Sequence, residues 1–313
     1  MPLSTATAYA PATIANLGPG FDVLGLALPA PGDTVTAELI DTPGVTLLQI
    51  TGDNGMLPTD PHKNTACVAA HHVLQTAAPR EGVALRLHKA LPLASGLGSS
   101  AASAVAAAVA VNALLGEPLS RPELLPACVA AEAVVSGRHA DNVAPALLGG
   151  IVLVTGFTPA DVFRLPTPPD LHLAVASPHV AVPTAEARAV LPTSVPLPSM
   201  VHQTAQVGLL VHALHQGDTT LLARAVGSDR VVEPARAHLM PLFREVQAAA
   251  REAGALATII SGAGPTVCAL CTSAQDAQAV AEALAHLYTT RGIEATAQAT
   301  TVAQEGAHVL HLG

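Results

Sequence analysis

Pro92-Leu93-Ala94-Ser95-Gly96-Leu97-Gly98-Ser99-Ser100-Ala101-Ala102 is a glycine- and serine-rich loop running straight into an alanine-rich segment, Ala101 to Leu115, that reads as a helix. Gly96 and Gly98 give the backbone conformations closed to other residues and let a ligand approach the main chain. Free N–H groups at the helix start, the helix dipole and the hydroxyls of Ser99 and Ser100 converge on one point. That arrangement binds anions, phosphate above all. Two look-alikes fit less well. A Walker A loop carries Lys-Ser or Lys-Thr after its last glycine, and neither follows here. Gly96 to Ala101 matches the loose dinucleotide pattern G-x-G-x-x-A, but the preceding strand, Val83 to Lys89, stops short of the loop. The acid at the right distance, Glu117, lies in a helix exit. For the loop taken alone, a turn without a ligand also stays open.

The 313 residues suffice for a sizeable core and two domains. Half are hydrophobic, yet no uncharged apolar run reads as a membrane span; the longest candidate, Ala101 to Leu115, is too short and mostly alanine. Met1-Pro2-Leu3-Ser4-Thr5 has no basic region followed by an apolar stretch, so no secretory signal is read and the expected compartment is the cytoplasm. A net charge of −9 with no basic run argues against nucleic acid as a partner. With only 14 Lys and Arg, a polyanion must be met by cations focused locally. Cys268-Ala269-Leu270-Cys271 has metal-site spacing but lies in a strand-like run without a second pair. Residues three apart on a strand face opposite ways, so these thiols read as buried small hydrophobes. The 14 histidines are scattered and form no ligand set.

Strands are expected at Val35 to Leu39, Val45 to Ile50, Val83 to Lys89 and Ile151 to Val154, with helices at Asn64 to Ala77 and after the loop. Ser120-Arg121-Pro122-Glu123 is a capping box that opens a helix running to about Gly137. The proline-rich stretch Pro159 to Pro169 separates residues 1–160 from residues 161–313. The second part reads strand, several helices, a strand–loop–strand around Ser261 to Pro265, a helix capped by Ser273, and a closing strand Ile293 to Thr301. That order suits a split β-α-β sandwich, an α+β arrangement.

Three further segments are dense in glycine and polar residues: Asn16 to Gly25, Gly137 to Pro145 and Ser261 to Thr266. Each alone could be a turn. In this order and spacing, and together with the central loop, they resemble the GHMP small-molecule kinases over nearly the whole chain. Pro11-Ala12-Thr13-Ile14-Ala15-Asn16-Leu17-Gly18-Pro19-Gly20-Phe21-Asp22 is similar to the first family motif, Pro92 to Ala102 to the nucleotide-binding motif and Ser261 to Thr266 to the third. His139-Ala140-Asp141-Asn142-Val143-Ala144-Pro145 points within the family to the branch that phosphorylates L-homoserine.

The resemblance implies an N-terminal domain of ribosomal-protein-S5 domain 2 type, a ferredoxin-like C-terminal domain, a site between them and a homodimer. It implies ATP bound by Pro92, Leu93, Ala94, Ser95, Gly96, Leu97, Gly98, Ser99, Ser100, Ala101 and Ala102, with Asn64 on the nucleotide side. Mg2+ would be held by Glu132 and a serine, Ser100 or its neighbour Ser99. The amino-acid substrate would meet Asn16, Asp22 and His139, the carboxylate-binding Arg188 and Arg236, and Gly262 and Gly264. Asn142 stands where several relatives place an Asp against the attacking hydroxyl, with Asp141 beside it. Asn cannot take a proton, so catalysis by positioning and electrostatic stabilisation is expected. A member acting on mevalonate or a sugar, or a binding protein of the same fold without turnover, stays open at this point.

Overall fold

The computed structural model describes residues 4–313. The elements in chain order are β1 (Thr5–Ala15), β2 (Leu24–Ile40), β3 (Gly44–Thr51), α1 (Thr65–Ala77), β4 (Gly82–His88), α2 (Ser99–Leu114), α3 (Leu125–Glu132), α4 (Val143–Leu148), β5 (Ile151–Val154) and β6 (Val162–Leu165). There follow β7 (His172–Pro178), α5 (Thr184–Ala189), α6 (Leu197–Gln216), α7 (Thr219–Val226), α8 (Val232–Arg236), α9 (Phe243–Glu252), β8 (Ala257–Ile260), β9 (Val267–Cys271), α10 (Ala274–Thr290), β10 (Ala295–Thr300) and β11 (His308–Leu312).

A seven-stranded sheet runs β11-β1-β2-β4-β3, with β5 on the start of β2 and β6 on β5. Its pairings are antiparallel except β3 with β4. The four-stranded sheet has the order β10-β7-β9-β8, all antiparallel. Numbered by their own sequence, those strands stand 4-1-3-2, the ferredoxin-like arrangement the split β-α-β reading expects. The expected boundary at 160/161 falls between β5 and β6, which pair with each other. The chain's last strand, β11, also returns to the first sheet beside β1.

Helix α2 lies at the centre of the larger core, and every residue in it except Ser100 is buried. Alanine makes this possible: without bulk beyond Cβ, the helix approaches β1, β2, α1 and α3 closely on all sides. Local signals start the neighbouring helices. Asn64 caps α1 by accepting the Ala66 N–H at 3.1 Å, and the Ser120/Glu123 capping box opens a 3-10 turn leading into α3. Helix α3 ends at Glu132 and passes into turns, short of the expected Gly137. The second sheet is covered on one face by α9 and α10, and on the other it joins the larger core under α6 and α7. Cys268 packs into the larger core and Cys271 into the smaller, on opposite faces as strand alternation requires. Both are free thiols, and burial pushes Cys268 up to about 12 and Cys271 to about 11. Among the described residues no helix is long and apolar enough to cross a membrane.

Candidate active site

A cleft of about 340 Å3 opens where the two sheets meet. One wall is the glycine-rich loop. Ala94, Gly96 and Gly98 all have positive φ (51°, 82° and 67°), and Gly98 is the left-handed N-cap of α2. No side chain among the described residues caps that helix start, so the amides of its first turn remain open to the cleft. The loop is braced from behind by the Ser261–Thr266 turn. Ser261 Oγ donates to the Gly96 carbonyl at 2.6 Å, and Thr266 N–H donates to the Ser95 carbonyl at 3.1 Å. Leu93 to Gly96, Gly98, Ser99, Ser100 and Asn64 line the cleft. Leu97, Ala101 and Ala102 point into the core, and Pro92 stands outside the lining.

Lys89, only 4% exposed, ties the helix start down. Its ammonium pairs with Asp33 and donates to the Ser99 carbonyl and to Ser103 Oγ, each at 2.8 Å. Burial pulls its pKa down against the opposing pull of Asp33. Sequence reasoning passed over this residue as the end of a strand. A lysine closing an alternating run, where an inward-facing residue was due, was the available signal.

Beside the loop, a chain of hydrogen bonds crosses the cleft floor. Ser100 Oγ donates to Glu132 Oε1 at 2.7 Å, and Ser136 Oγ donates to the same oxygen. Ser136 Oγ is 2.9 Å from His139 Nε2, and His139 Nδ1 is 3.0 Å from Asp141 Oδ1. A hydroxyl has one proton, and Ser136 gives its own to Glu132. His139 thus stands between two carboxylates, Asp141 directly and Glu132 through the Ser136 hydroxyl. Burial alone would lower the imidazole's pKa; the hydrogen bond and charge of Asp141, with the charge of Glu132, outweigh it and the net direction is up. Glu132 Oε2 is buried with no partner among the described residues. Ser136 had no sequence signal beyond its helix-end position.

The opposite wall brings the expected substrate residues together from both ends of the chain. Arg188, on α5, forms a bidentate pair with Asp22 at 2.8 and 3.0 Å. Arg236, at the end of α8 and 3% exposed, donates from Nε to the Ala187 carbonyl (3.0 Å) and from Nη1 to the Gly262 carbonyl (2.8 Å). The Phe21 ring lies near both guanidiniums, 5.5 and 5.3 Å from ring centroid to Cζ. Asn16 is engaged by protein: its Oδ1 accepts the Asp22 N–H at 3.2 Å and its Nδ2 donates to the Gly262 carbonyl at 3.1 Å. Gly262 lines the cleft; Gly264, expected beside it, faces Met240 instead. Asn142 lines the cleft between the two walls and accepts the Thr13 hydroxyl at 2.7 Å.

An open helix start braced by a glycine turn thus faces a paired acid and two arginines across the cleft, a layout suited to a small-molecule phosphotransferase. Models of the GHMP kinases' N-terminal domain and C-terminal domain match residues 64–150 and 210–289. The chain is 40% identical to a homoserine kinase of Chloroherpeton thalassium, over 97% of this chain and 99% of that one. It is 43% identical to a homoserine kinase of Arabidopsis thaliana, over 90% of this chain and 77% of that one. A crystal structure of homoserine kinase from Cytophaga hutchinsonii superposes with a TM-score of 0.94 at 44% identity, covering 98% of each chain. The chain belongs to the GHMP kinase family and, within it, to the homoserine kinases. As a kinase of that family it uses ATP.

Proposed function

We propose that the enzyme transfers the γ-phosphoryl group of ATP to the side-chain hydroxyl of L-homoserine, forming O-phospho-L-homoserine, a step toward threonine. The observation that carries this reading is the shared cleft: the open amides of α2 and the Asp22–Arg188–Arg236 cluster face one another across it. Phosphoryl transfer asks the protein for alignment and charge neutralisation more than for covalent chemistry. Within the loop from Pro92 to Ala102, the cleft-lining stretch Leu93 to Gly96 and Gly98 to Ser100 holds the phosphates on backbone N–H groups, with Asn64 on the nucleotide side. Ser100 and Glu132 are the oxygen donors for Mg2+, and the unpartnered, buried Glu132 Oε2 supports a cation there. Bound there, Mg2+ supplies charge neutralisation on the phosphates.

Asp22 accepts the substrate's ammonium, and Arg188 and Arg236 bind its carboxylate, as a charged fork suits a planar anion. Asn16 and Gly262 fix the loop that carries Asp22, and His139 sits beside the acceptor. Asp141 is committed to His139, so it is no free base. Asn142 aligns the reacting oxygens and the hydroxyl proton leaves late, to phosphate or water. A homodimer in the cytoplasm, where ATP is supplied, completes the reading; the family resemblance supports the dimer. Coupled ADP release with Mg-ATP and a panel of hydroxylated acceptors tests it. Homoserine-dependent turnover is expected, and turnover with mevalonate or a sugar but not homoserine overturns the substrate assignment.

A further inference from the structure

Asn142 is the N-cap of α4, where a side-chain oxygen ordinarily accepts an amide of the helix's own first turn. No such bond forms. Its Oδ1 instead takes the hydroxyl proton of Thr13, at 2.7 Å. Thr13 lies on β1, is fully buried and does not line the cleft, whereas Asn142 does. The Thr13 backbone N–H donates to the Leu97 carbonyl at 3.1 Å, so the strand is fastened to the glycine-rich loop. Gly98 packs against both side chains: a methyl there would stand 2.1 Å from Thr13 Oγ1 and 2.8 Å from Asn142 Oδ1.

A carboxamide has one accepting end and one donating end. The Thr13 hydroxyl, sealed from water, meets no other acceptor among the described residues, so its proton settles which end of Asn142 it holds. The accepting end is turned back toward β1, leaving the NH2 to the cleft. We infer that Thr13 is a positioning residue that fixes Asn142 as a hydrogen-bond donor at the reacting centre. The amide then presents N–H, never a carbonyl, to the oxygen on which negative charge grows; a reversed amide would aim a partial negative charge at the phosphoryl group. This rests on the role given to Asn142 above.

The test is a double-variant cycle of Thr13→Val, which keeps the shape and removes the hydroxyl, with Asn142→Ala. Thr13→Val is expected to lower kcat about 10- to 100-fold, the scale on which hydrogen-bond partners one step from the reacting atoms act. The KM values for both substrates stay within about twofold, and Thr13→Ser recovers most of kcat. The double variant is no slower than Asn142→Ala alone. If Thr13→Val fails to fold, Thr13→Ala carries the same cycle, since alanine already fills the buried positions 8, 10 and 12 on this strand. An unchanged kcat, losses that multiply in the double variant, or a folded Thr13→Ser as slow as Thr13→Val overturns the inference. The cycle is read on whichever acceptor the wild type turns over, so failure with homoserine sinks the substrate assignment and not the role of Thr13.

Discussion

Adding one methyl at Gly98 puts two separate demands on the loop. Gly98 has φ +67°, and an L side chain in that region costs about 1–2 kcal/mol. The new Cβ would also stand 2.1 Å from Thr13 Oγ1, so for ordinary van der Waals contact the hydroxyl or the loop must retreat by about 1 Å or more. Overpacking of this kind costs about 1–3 kcal/mol, and a 1 Å misplacement of reacting groups costs about 100-fold in rate. Gly98→Ala is therefore expected to lose about 2–5 kcal/mol of stability and about 100-fold in kcat. Gly116→Ala is the matched control. Gly116 has φ +81°, but a methyl there meets no atom within 4 Å. It should pay the backbone cost alone and keep its kcat. Thermal unfolding and coupled ADP release, both at a temperature where each variant is folded, separate the two effects. A Gly98→Ala enzyme within about threefold of wild-type kcat, or a Gly116→Ala enzyme equally impaired, refutes the reasoning.

Removing Arg236 as Arg236→Leu should raise the homoserine KM about 10- to 100-fold, the scale of one charge-assisted hydrogen bond of about 1.5–3 kcal/mol. Steady-state kinetics showing a change in the ATP KM alone would falsify that role. Glu233 is pushed up to about 7, first by burial and then by the charge of Asp229. Between its ordinary value of 4.5 and about 7, the folded state keeps a proton the unfolded chain has released, so stability falls as pH rises through that window, by roughly 3 kcal/mol. Glu233→Gln should flatten that fall; urea midpoints at pH 5 and pH 8 that move in parallel for both proteins would reject it.

What was legible in the chain was what neighbouring residues decide together. The loop into α2, the Asn64 cap, the Ser120 capping box and the Ser273 cap are local contests between a side chain and the nearest amides. β1 was not read, because its inward residues are mostly alanine, a faint hydrophobic signal, and Pro11 interrupts it. β11 takes its place only by pairing with β1, and α8 is too short to show a period. The site divides the same way. Family motifs marked Asp22, Asn142 and the arginines, but that Asp22 meets Arg188 depends on a pairing 166 residues apart. Lys89 looked like a strand end because Asp33, its partner, lies 56 residues earlier.

Charge accounting narrows what this cleft can bind. The chain carries −9, yet four cations (Lys63, Lys89, Arg188, Arg236) and three carboxylates (Asp22, Glu132, Asp141) line the cleft. Lys89 is committed to Asp33 and the start of α2, Arg236 gives two donors to backbone carbonyls, and Arg188 is held by Asp22. Of these four, only Lys63 is both exposed, at 72% of its side chain, and loosely paired, 3.8 Å from Asp60. On the proposed reading the protein's own share of the polyphosphate charge, beside that of Mg2+, falls mainly on backbone amides, which fits a loop with no lysine after its glycines. The Asp22–Arg188 pair makes a second selection. In the proposed binding mode a zwitterionic amino acid would offer an ammonium to Asp22 and a carboxylate to Arg188, exchanging partner for partner with no change in net charge. A polyol would have to part the same two ions, each about one-third exposed, and return no charge to either, leaving both partly desolvated charges uncompensated.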